Sequence, residues 1–507
     1  MKNYGLALIA TVFLLSSCAN DNLMENEIVE ETIDENPSSF QEIGSITIGG
    51  EGAAEISAYD EVSKKLFTVN NSESNKIDVI DLTDPTNPKL IASIDLSPFN
   101  GAANSVATYN GKLAVALEAI PNKQDLGKVV VFNTANYAVI KEITVGSLAD
   151  MVTFSPDGKY IMSANEGEPN DDYSNDPNGS ISIIDVMNNY SVTTLDFTGF
   201  SSQLSTLTAA GFRIGKSDAS FAADIEPEYI TISADSKTAW VTLQENNGVA
   251  KVDLVSKSIS KIFPLGFKDY NQIENAIDVS NKDDVVAFNT WKVKGLFMPD
   301  AIASYSVNGI NYFITANEGD AREYGDYADV ERLSKLTLDP VAFPDAATLQ
   351  QDSKMGRLNM ITTMGDANKD GKYEELFAFG GRSFTIWNGD SGSLVFDSKN
   401  ELDKKSLEFG TYDDGRSDDK GSEPESVVVA RMGSKNILFV GLERTDNCMI
   451  YDVTNPNAPI YLQTLKTGDA PEGLLFIPAS KSPTKRSLVI VSSEGDGTIK
   501  IFQPDLN

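Results

Sequence analysis

From Ser45 onward the chain alternates short β-rich apolar runs with polar turn signals, and no long amphipathic helix dominates. Aligned against one another, the runs fall into repeating units. One unit reads AAEISAYD, KLFTVNN, KIDVIDL, PKLIASIDL; the next reads AANSVATY, KLAVALEA, GKVVVFN, AVIKEITVG. Each unit is four strands, a to d, and the turns between a and b are tight and polar (SPDGK, SADSK, YNGK, RMGSK). Unit starts lie at Glu55, Asn104, Asp150, Glu228, Asp300, Glu425 and Glu472; all but Asn104 are acidic, and each follows Ala or Pro. The expected fold is therefore all-β: a β-propeller of seven four-stranded blades. An eighth start near Leu358 lacks the signature, so residues 321–381 read as an insertion in the fifth unit, with eight blades as the rival count. The last unit has only three strands, and SITIG at 45–49 is a spare strand able to complete it and close the ring. Two separate β-sandwiches are the other architecture considered; the signature shared by all units argues against them.

The N-terminus changes the picture of location. MKNYGLALIATVFLLSSC has a basic start at Lys2 and an apolar run from Leu6 to Leu15, too short to span a bilayer, so it reads as an export signal. Its end, Leu15-Ser16-Ser17-Cys18, resembles a bacterial lipobox, in which Cys18 carries lipid after cleavage; the alternative is an ordinary signal peptide with an incidental cysteine. The expected organisation is a lipoprotein signal over 1–18, an acidic disordered tether over 19–43 and a propeller domain over 44–505. With Cys18 lipidated, Cys448 is alone and no internal disulfide forms.

Composition then excludes whole classes of chemistry. The net charge of −33 repels nucleic acid and anionic lipid and attracts cations. There is no histidine, which removes Ser-His-Asp and Cys-His catalysis and His-ligated zinc or iron.

The stretches MVTFSPDGKYIMSANEGEP, DIEPEYITIS, MPDAIASY, ITANEGDAREYGD, ELFAFGGRSFTIWN and SDDKGSEPESV resemble the choice-of-anchor I family of exported bacterial proteins. The same pattern resembles animal mesenchyme-specific cell-surface glycoproteins. The resemblance covers about residues 44–505 and implies a secreted or anchored propeller. Some relatives are labelled alkaline phosphatases, but no catalytic residue set carries over.

In a blade the d–a and b–c connections share one face, and the a–b and c–d turns share the other. The long connections 167–179, 197–226, 267–298, 319–381 and 399–424 are all d–a or b–c, so one face carries every long loop. The opposite face has short turns with Lys64, Lys112, Lys159, Lys237 and Lys435. Strand b ends in Glu118, Glu166, Glu245, Glu318, Glu443 and Glu494, with Asn70 and Asn71 in the first unit. Strand a is innermost, so Glu55, Asp150, Glu228, Asp300, Glu425 and Glu472 are expected to ring the channel mouth on the loop face. The strand-b glutamates would form a second ring outside them. Carboxylates about 8 Å apart repel by roughly 2 kcal/mol per pair at an effective dielectric near ~20. Relief comes from raised pKa values, basic partners or bound cations, and oxygen-only ligands favour calcium or magnesium. A single glutamate can equally be accepting turn N–H groups.

Arg322, Arg382, Arg416 and Arg444, with Arg213, lie in or beside these loops and suit either phosphate recognition or salt bridges to the acids. In GDANKDGKYEE, Asp366, Asn368 and Asp370 followed by Gly371 match the start of a calcium loop, with Phe377 at its twelfth position and Glu374 or Glu375 as substitutes. DVSNKDD, with Asp278, Asn281 and Asp283, is a weaker echo.

The expected function is a lipid-anchored envelope propeller that binds a glycan, protein or other ligand on a calcium-stabilised acidic face. The alternative is a calcium-dependent phosphatase or phosphodiesterase, alkaline phosphatase-like, with the arginines on phosphate. The expected setting is an exported bacterial lipoprotein at the outer membrane or cell surface. It is expected to be a monomer that meets the membrane only through its lipid and has no nucleic-acid partner.

Overall fold

The fold is described by a computed structural model covering Met1 and residues 34–507. Cys18, the rest of the signal segment and residues 19–33 of the expected tether lie outside the described residues. Among the described residues, seven four-stranded antiparallel sheets follow one another along the chain. The first takes Ala53–Asp60, Lys65–Asn70, Lys76–Asp81 and Lys89–Asp95 in that order. The same a–b–c–d order recurs in sheets whose inner strands begin at Gly101, Ala149, Pro227, Ile302, Pro424 and Pro471. Inner strands of consecutive sheets touch, and the inner strand of the seventh, Pro471–Ile477, touches that of the first, so the ring is closed. This is a β-propeller.

The burial pattern explains why the middle strands read as unbroken apolar runs. Strands b and c are packed on both faces by neighbouring blades, as in Lys65–Asn70 and Ser180–Asp185, so period-two alternation is lost. Outer strands such as Ser191–Asp196 have one face in solvent and alternate.

Closure comes from the N-terminal side. Gln41–Thr47 pairs antiparallel with Thr498–Gln503 and supplies the fourth strand of the seventh sheet. The expected tether reached residue 43, but order begins earlier. Phe40 is 1% exposed and meets Phe439 edge-on at 5.4 Å between ring centroids. Its backbone exchanges two hydrogen bonds with the Gln463 amide, at 2.9 and 2.8 Å. Glu35 accepts from the Arg486 guanidinium at 3.1 Å and from the Ser487 N–H at 2.8 Å. The acidic composition hid these anchors, a buried aromatic and an ion-paired glutamate, which hold the chain before the strand.

The insertion also differs from a plain loop. Residues from two connections build a five-stranded sheet of Phe267–Asp269, Lys294–Leu296, Phe377–Ala378, Asn359–Ile361 and Val330–Arg332. It has its own core, including Tyr270, Leu333, Phe343, Met355, Leu358 and Met360. The rival eighth start near Leu358 is thus part of a cap over the loop face, and strand c of the fifth blade is Ser383–Asn388.

Truncating the closing aromatic, Phe40→Ala, is expected to cost about 3 kcal/mol. Chemical denaturation of the variant against the parent measures it, and a loss under about 1 kcal/mol would show that closure does not depend on this anchor.

Candidate functional site: an acidic channel mouth

Each inner strand opens with the same device. In six of the seven sheets the a–b register slips at the start of strand a, and the slip contains the unit's first polar residue: Glu55, Asn104, Asp150, Glu228, Glu425 or Glu472. A bulge leaves one residue unpaired and re-aims its side chain. Just upstream lies a left-handed residue in six blades: Gly52, Asn100, Leu148, Met298, Glu423 and Ala470, with φ between 46° and 76°. For Leu and Met such a conformation costs on the order of 1–2 kcal/mol. Its return is a backbone tie between the two acid positions of a blade. The carbonyls of Leu148, Glu423 and Ala470 accept from the N–H groups of Glu166, Glu443 and Glu494 at 3.0, 2.9 and 3.0 Å.

The paired Ala-Asn-Glu-Gly endings divide their labour. Asn165 and Asn317 are fully buried staples: Asn165 donates to Ser180 and Ser182, and Asn317 to Ser383 and Thr385, joining strand b to strand c. Gly167 and Gly319 have φ of 70° and 88°, and a Cβ on either would strike the backbone of the returning chain. Glu166 and Glu318 are left to face the mouth.

There the carboxyls converge. Oxygens of Asp300, Glu318 and Glu425 lie within 4.8 Å of one another, as do those of Glu318, Glu423 and Glu443. Glu228 and Glu425 each hold one buried oxygen without a hydrogen-bond partner among the described residues. Burial, reinforced by the Asp150 charge, pushes Asp300 up to about 8. Burial with neighbouring carboxylates pushes Asp150 to about 7, and Glu55 to about 7 against the opposing Asn71 hydrogen bond. Burial likewise raises Glu245 to about 7, against the opposing Arg322 charge. Glu166, Glu228, Glu318, Glu425 and Glu472 are raised well above the usual carboxylate range, by burial first and by one another second. Glu118 and Glu443 are raised by burial as well.

One side of the mouth has a different remedy, in which Arg416 and Arg444 are joined by Lys420, Glu423 and Gln244, three residues that the sequence reading did not single out. Lys420 is 9% exposed and pairs with Glu318, with Glu423 at 3.3 Å and with Asp320 at 3.7 Å. Burial works against its charge, but these three acids hold it protonated well above the lysine range. The Gln244 amide donates to the other Glu318 oxygen at 3.0 Å. Glu423, fully buried, takes Arg416 at 2.6 Å and Arg444 at 3.5 Å, and Arg444 also holds Glu443 at 2.8 Å. The signal for Glu423 was present: Glu226-Pro227-Glu228 and Glu423-Pro424-Glu425 are the same tripeptide, and in both the first Glu meets an arginine.

The arginines separate into two kinds. Arg322 is 2% exposed and bonds Asp224 at 2.8 Å and Glu226 at 3.0 Å. Arg382, equally buried, donates to the carbonyls of Asp278, Ser417 and Asp419 at 2.8–2.9 Å. Arg213 is sealed against Asp329. These three stitch loops together rather than facing a ligand. Arg416 and Arg444 instead line a 510 Å³ pocket on the loop face with Arg332, Lys335 and Lys420. Beside it lies an 840 Å³ pocket lined by Glu168, Asp171, Asp172, Glu245, Asp320 and Glu323.

In the GDANKDG loop, oxygens of Asp366, Asp370 and Glu374 lie within 4.8 Å of one another. Asn368 donates to Glu374 at 2.6 Å, and Gly371 turns the chain at φ 82°. Glu375 points elsewhere, to Lys294 at 2.6 Å, so Glu374 is the substitute that joins the loop. In the weaker echo, Asn281 accepts from Arg357 at 2.8 Å. Asp278 is 2% exposed and is pushed up to about 6 by burial, with Asp414 and Asp283 adding to it.

The profile of the choice-of-anchor I domain matches residues 55–456. The chain is 30% identical over 189 residues to gigasin-3a of Magallana gigas, covering 31% of this chain and 66% of that protein. It is 27% identical over 294 residues to the mesenchyme-specific cell surface glycoprotein of Strongylocentrotus purpuratus, covering 49% of this chain and 37% of that one. The chain therefore spans less than two thirds of either relative. Among solved structures it is similar to the WD40 domain of Toxoplasma gondii coronin (TM-score 0.49, 8% identity, 94% and 89% of the two chains). It is also similar to Kuenenia stuttgartiensis hydrazine synthase (TM-score 0.47, 13% identity, 91% and 98%).

Two outcomes test the electrostatics. The raised carboxyls bind protons more tightly in the fold than in the unfolded chain, whose value is near 4.5 for Glu55. The native state then holds extra protons between that value and about 8, the value for Asp300, so stability present at low pH is lost as pH rises. Melting in chelator is expected to be highest near pH ~5 and to fall steadily toward pH ~8; a flat profile would contradict the crowding. Lys420→Met, which leaves Glu318 without its cation while Glu423 keeps Arg416 and Arg444, is expected to cost about 3 kcal/mol near neutral pH and less in acid.

Proposed function

The chain belongs to the choice-of-anchor I domain family, and from that premise we propose that it is a lipid-anchored propeller that binds a ligand or partner on its acidic face, with calcium stabilising that face. Membership of the family implies a cell-surface-anchored protein. Among the described residues no helix is long and apolar enough to cross a membrane. The lipid on Cys18 is the anchor in this reading. The observation that carries the binding reading is the meeting of carboxyls from successive blades at one mouth, with oxygens of Asp300, Glu318 and Glu425 inside 4.8 Å. Such a set is stable as shared protons or around a hard divalent cation, and all its donors are oxygen.

The tether supports outward display. Glu35 is bonded to Arg486 and Ser487, in the a–b connection of the seventh blade, so the chain enters on the short-turn face. A lipid upstream holds that face toward the membrane and leaves the acidic mouth looking away from it. Asp366, Asn368, Asp370 and Glu374 are the residues that would hold a structural calcium in the cap, and Asp300, Glu425 and Glu228 those that would hold one at the axis.

One observation favours the second reading, a metal-dependent phosphoric ester hydrolase. Arg416, Arg444 and Lys420 line one pocket and are ion-paired to the Glu318–Glu423–Glu443 carboxyl group, so cationic donors and a metal-type oxygen set stand together. In this reading Arg416 and Arg444 steady the phosphate, while Arg322 and Arg382 keep the loops in place.

Saturating calcium is expected to raise the melting temperature by about 2–5 °C over chelator at pH ~7.5, and Asp370→Ala to remove part of that rise. Identical melting with calcium and chelator would end the calcium reading. Hydrolysis of p-nitrophenyl phosphate and its bis-ester by the purified protein separates the two functions. Turnover that needs calcium and is lost in Arg444→Ala would favour the hydrolase, and none under any divalent metal would leave binding.

A further inference from the structure

Below the acid ring lies a chamber of 570 Å³ bounded by inner strands of the seventh, first, second and third blades. Its walls include Ile56, Tyr109, Met151, Leu474 and Phe476, all half-buried, each packed against a blade core on one side and lining the chamber on the other. Several polar groups on these strands are already occupied. Ser57 shares hydrogen bonds with Thr68 at 2.8 Å and Ser492 at 2.7 Å, and the Thr108 hydroxyl donates to the Tyr59 carbonyl at 2.6 Å. Asp60 accepts from Ser63, Gly111 and Thr134. The ion pair on the wall is Glu61 with Lys481, at 3.5 Å, where the chamber opens on the short-turn face.

Tyr229 of the fourth blade stands between the two compartments. It lines the chamber, while Asp300, Asp150 and Glu472 of three other blades lie close enough to act on its phenol. A phenol hydroxyl is a hydrogen-bond donor at neutral pH. Its hydroxyl makes no hydrogen bond to any described residue, although the Tyr229 backbone is bonded to Thr242.

We propose that this chamber is a second binding site, for a neutral ring-bearing molecule that offers one hydrogen-bond acceptor to the Tyr229 hydroxyl. A pocket of this size, with aliphatic and aromatic side chains and a few unpaired hydroxyls in its wall, matches small-molecule sites in general. Charge selects against the alternatives. The acid ring above repels an anion, and it draws a cation past the chamber to the carboxyls themselves. A neutral ring covers Ile56, Met151, Leu474 and Phe476, with no buried charge to strip of water.

The test uses the whole exported chain in chelator, so that it is independent of any cation, with the neutral naphthalene ketone prodan as probe. The expected result is a blue-shifted emission that saturates at one probe per chain. Met151→Trp, which fills the chamber, is expected to weaken binding at least about tenfold. Tyr229→Phe keeps the ring and removes the donor, and is expected to weaken binding by about threefold to tenfold with the melting temperature held. Should Met151→Trp fail to fold, the isosteric Tyr229→Phe decides alone. No saturable shift, or a shift that neither substitution changes, overturns the proposal.

Discussion

The constraint on which the structure depends is geometric repulsion. A closed ring of blades must bring the start of every inner strand to one axis, and in this chain six of those seven starts are acidic. Backbone closure is favourable because each blade buries both faces of its middle strands against its neighbours. The charges are carried to the axis whether or not they repel. The fold therefore has to manage carboxyls that it cannot separate, and most of its irregular features sit where that management happens.

Two remedies divide the mouth. On the side of blades five and six, Lys420 and Arg416 from a long connection and Arg444 from the short b–c turn of blade six neutralise Glu318, Glu423 and Glu443. Around the rest of the axis no basic side chain is paired with Asp150, Glu228, Glu425 or Glu472 among the described residues, and the relief there is protonation or a cation. The left-handed Leu148 and Met298 and the register slips at strand starts belong to the same economy of strain. They tie the two acid positions of a blade to each other and turn side chains toward the axis. The cap sheet and the internal Arg322 and Arg382 bonds then fix the loops from which the neutralising cations come.

The propeller was legible because its signal is periodic. Four apolar runs per unit, tight polar a–b turns and a recurring acid after Ala or Pro repeat often enough to outweigh local ambiguity. The rival start near Leu358 was harder, because a cap strand and a blade strand obey the same alternation and differ only in what they pair with. Residues 34–43 misled for the opposite reason: composition averages over a window, while Phe40 and Glu35 hold the chain by a few specific contacts with Phe439, Gln463 and Arg486.

The sequence by itself determined the repeat, the closure by an N-terminal strand, the side on which long connections fall and the family of acids at the channel mouth. All of these follow from order along the chain, since antiparallel alternation sends every d–a and b–c connection to one face. Only the tertiary structure decided which charges meet. Lys420 lies 102 residues from Glu318, and Arg322 lies 98 from Asp224. No local pattern states that the first pair belongs to the mouth and the second to the interior. Electrostatic roles depend on distance and burial, both of which are set by how loops from different blades fold over one another. For the same reason Arg322 and Arg382 could be read as ligand residues from the sequence and yet be buried as the stitches of the loop face.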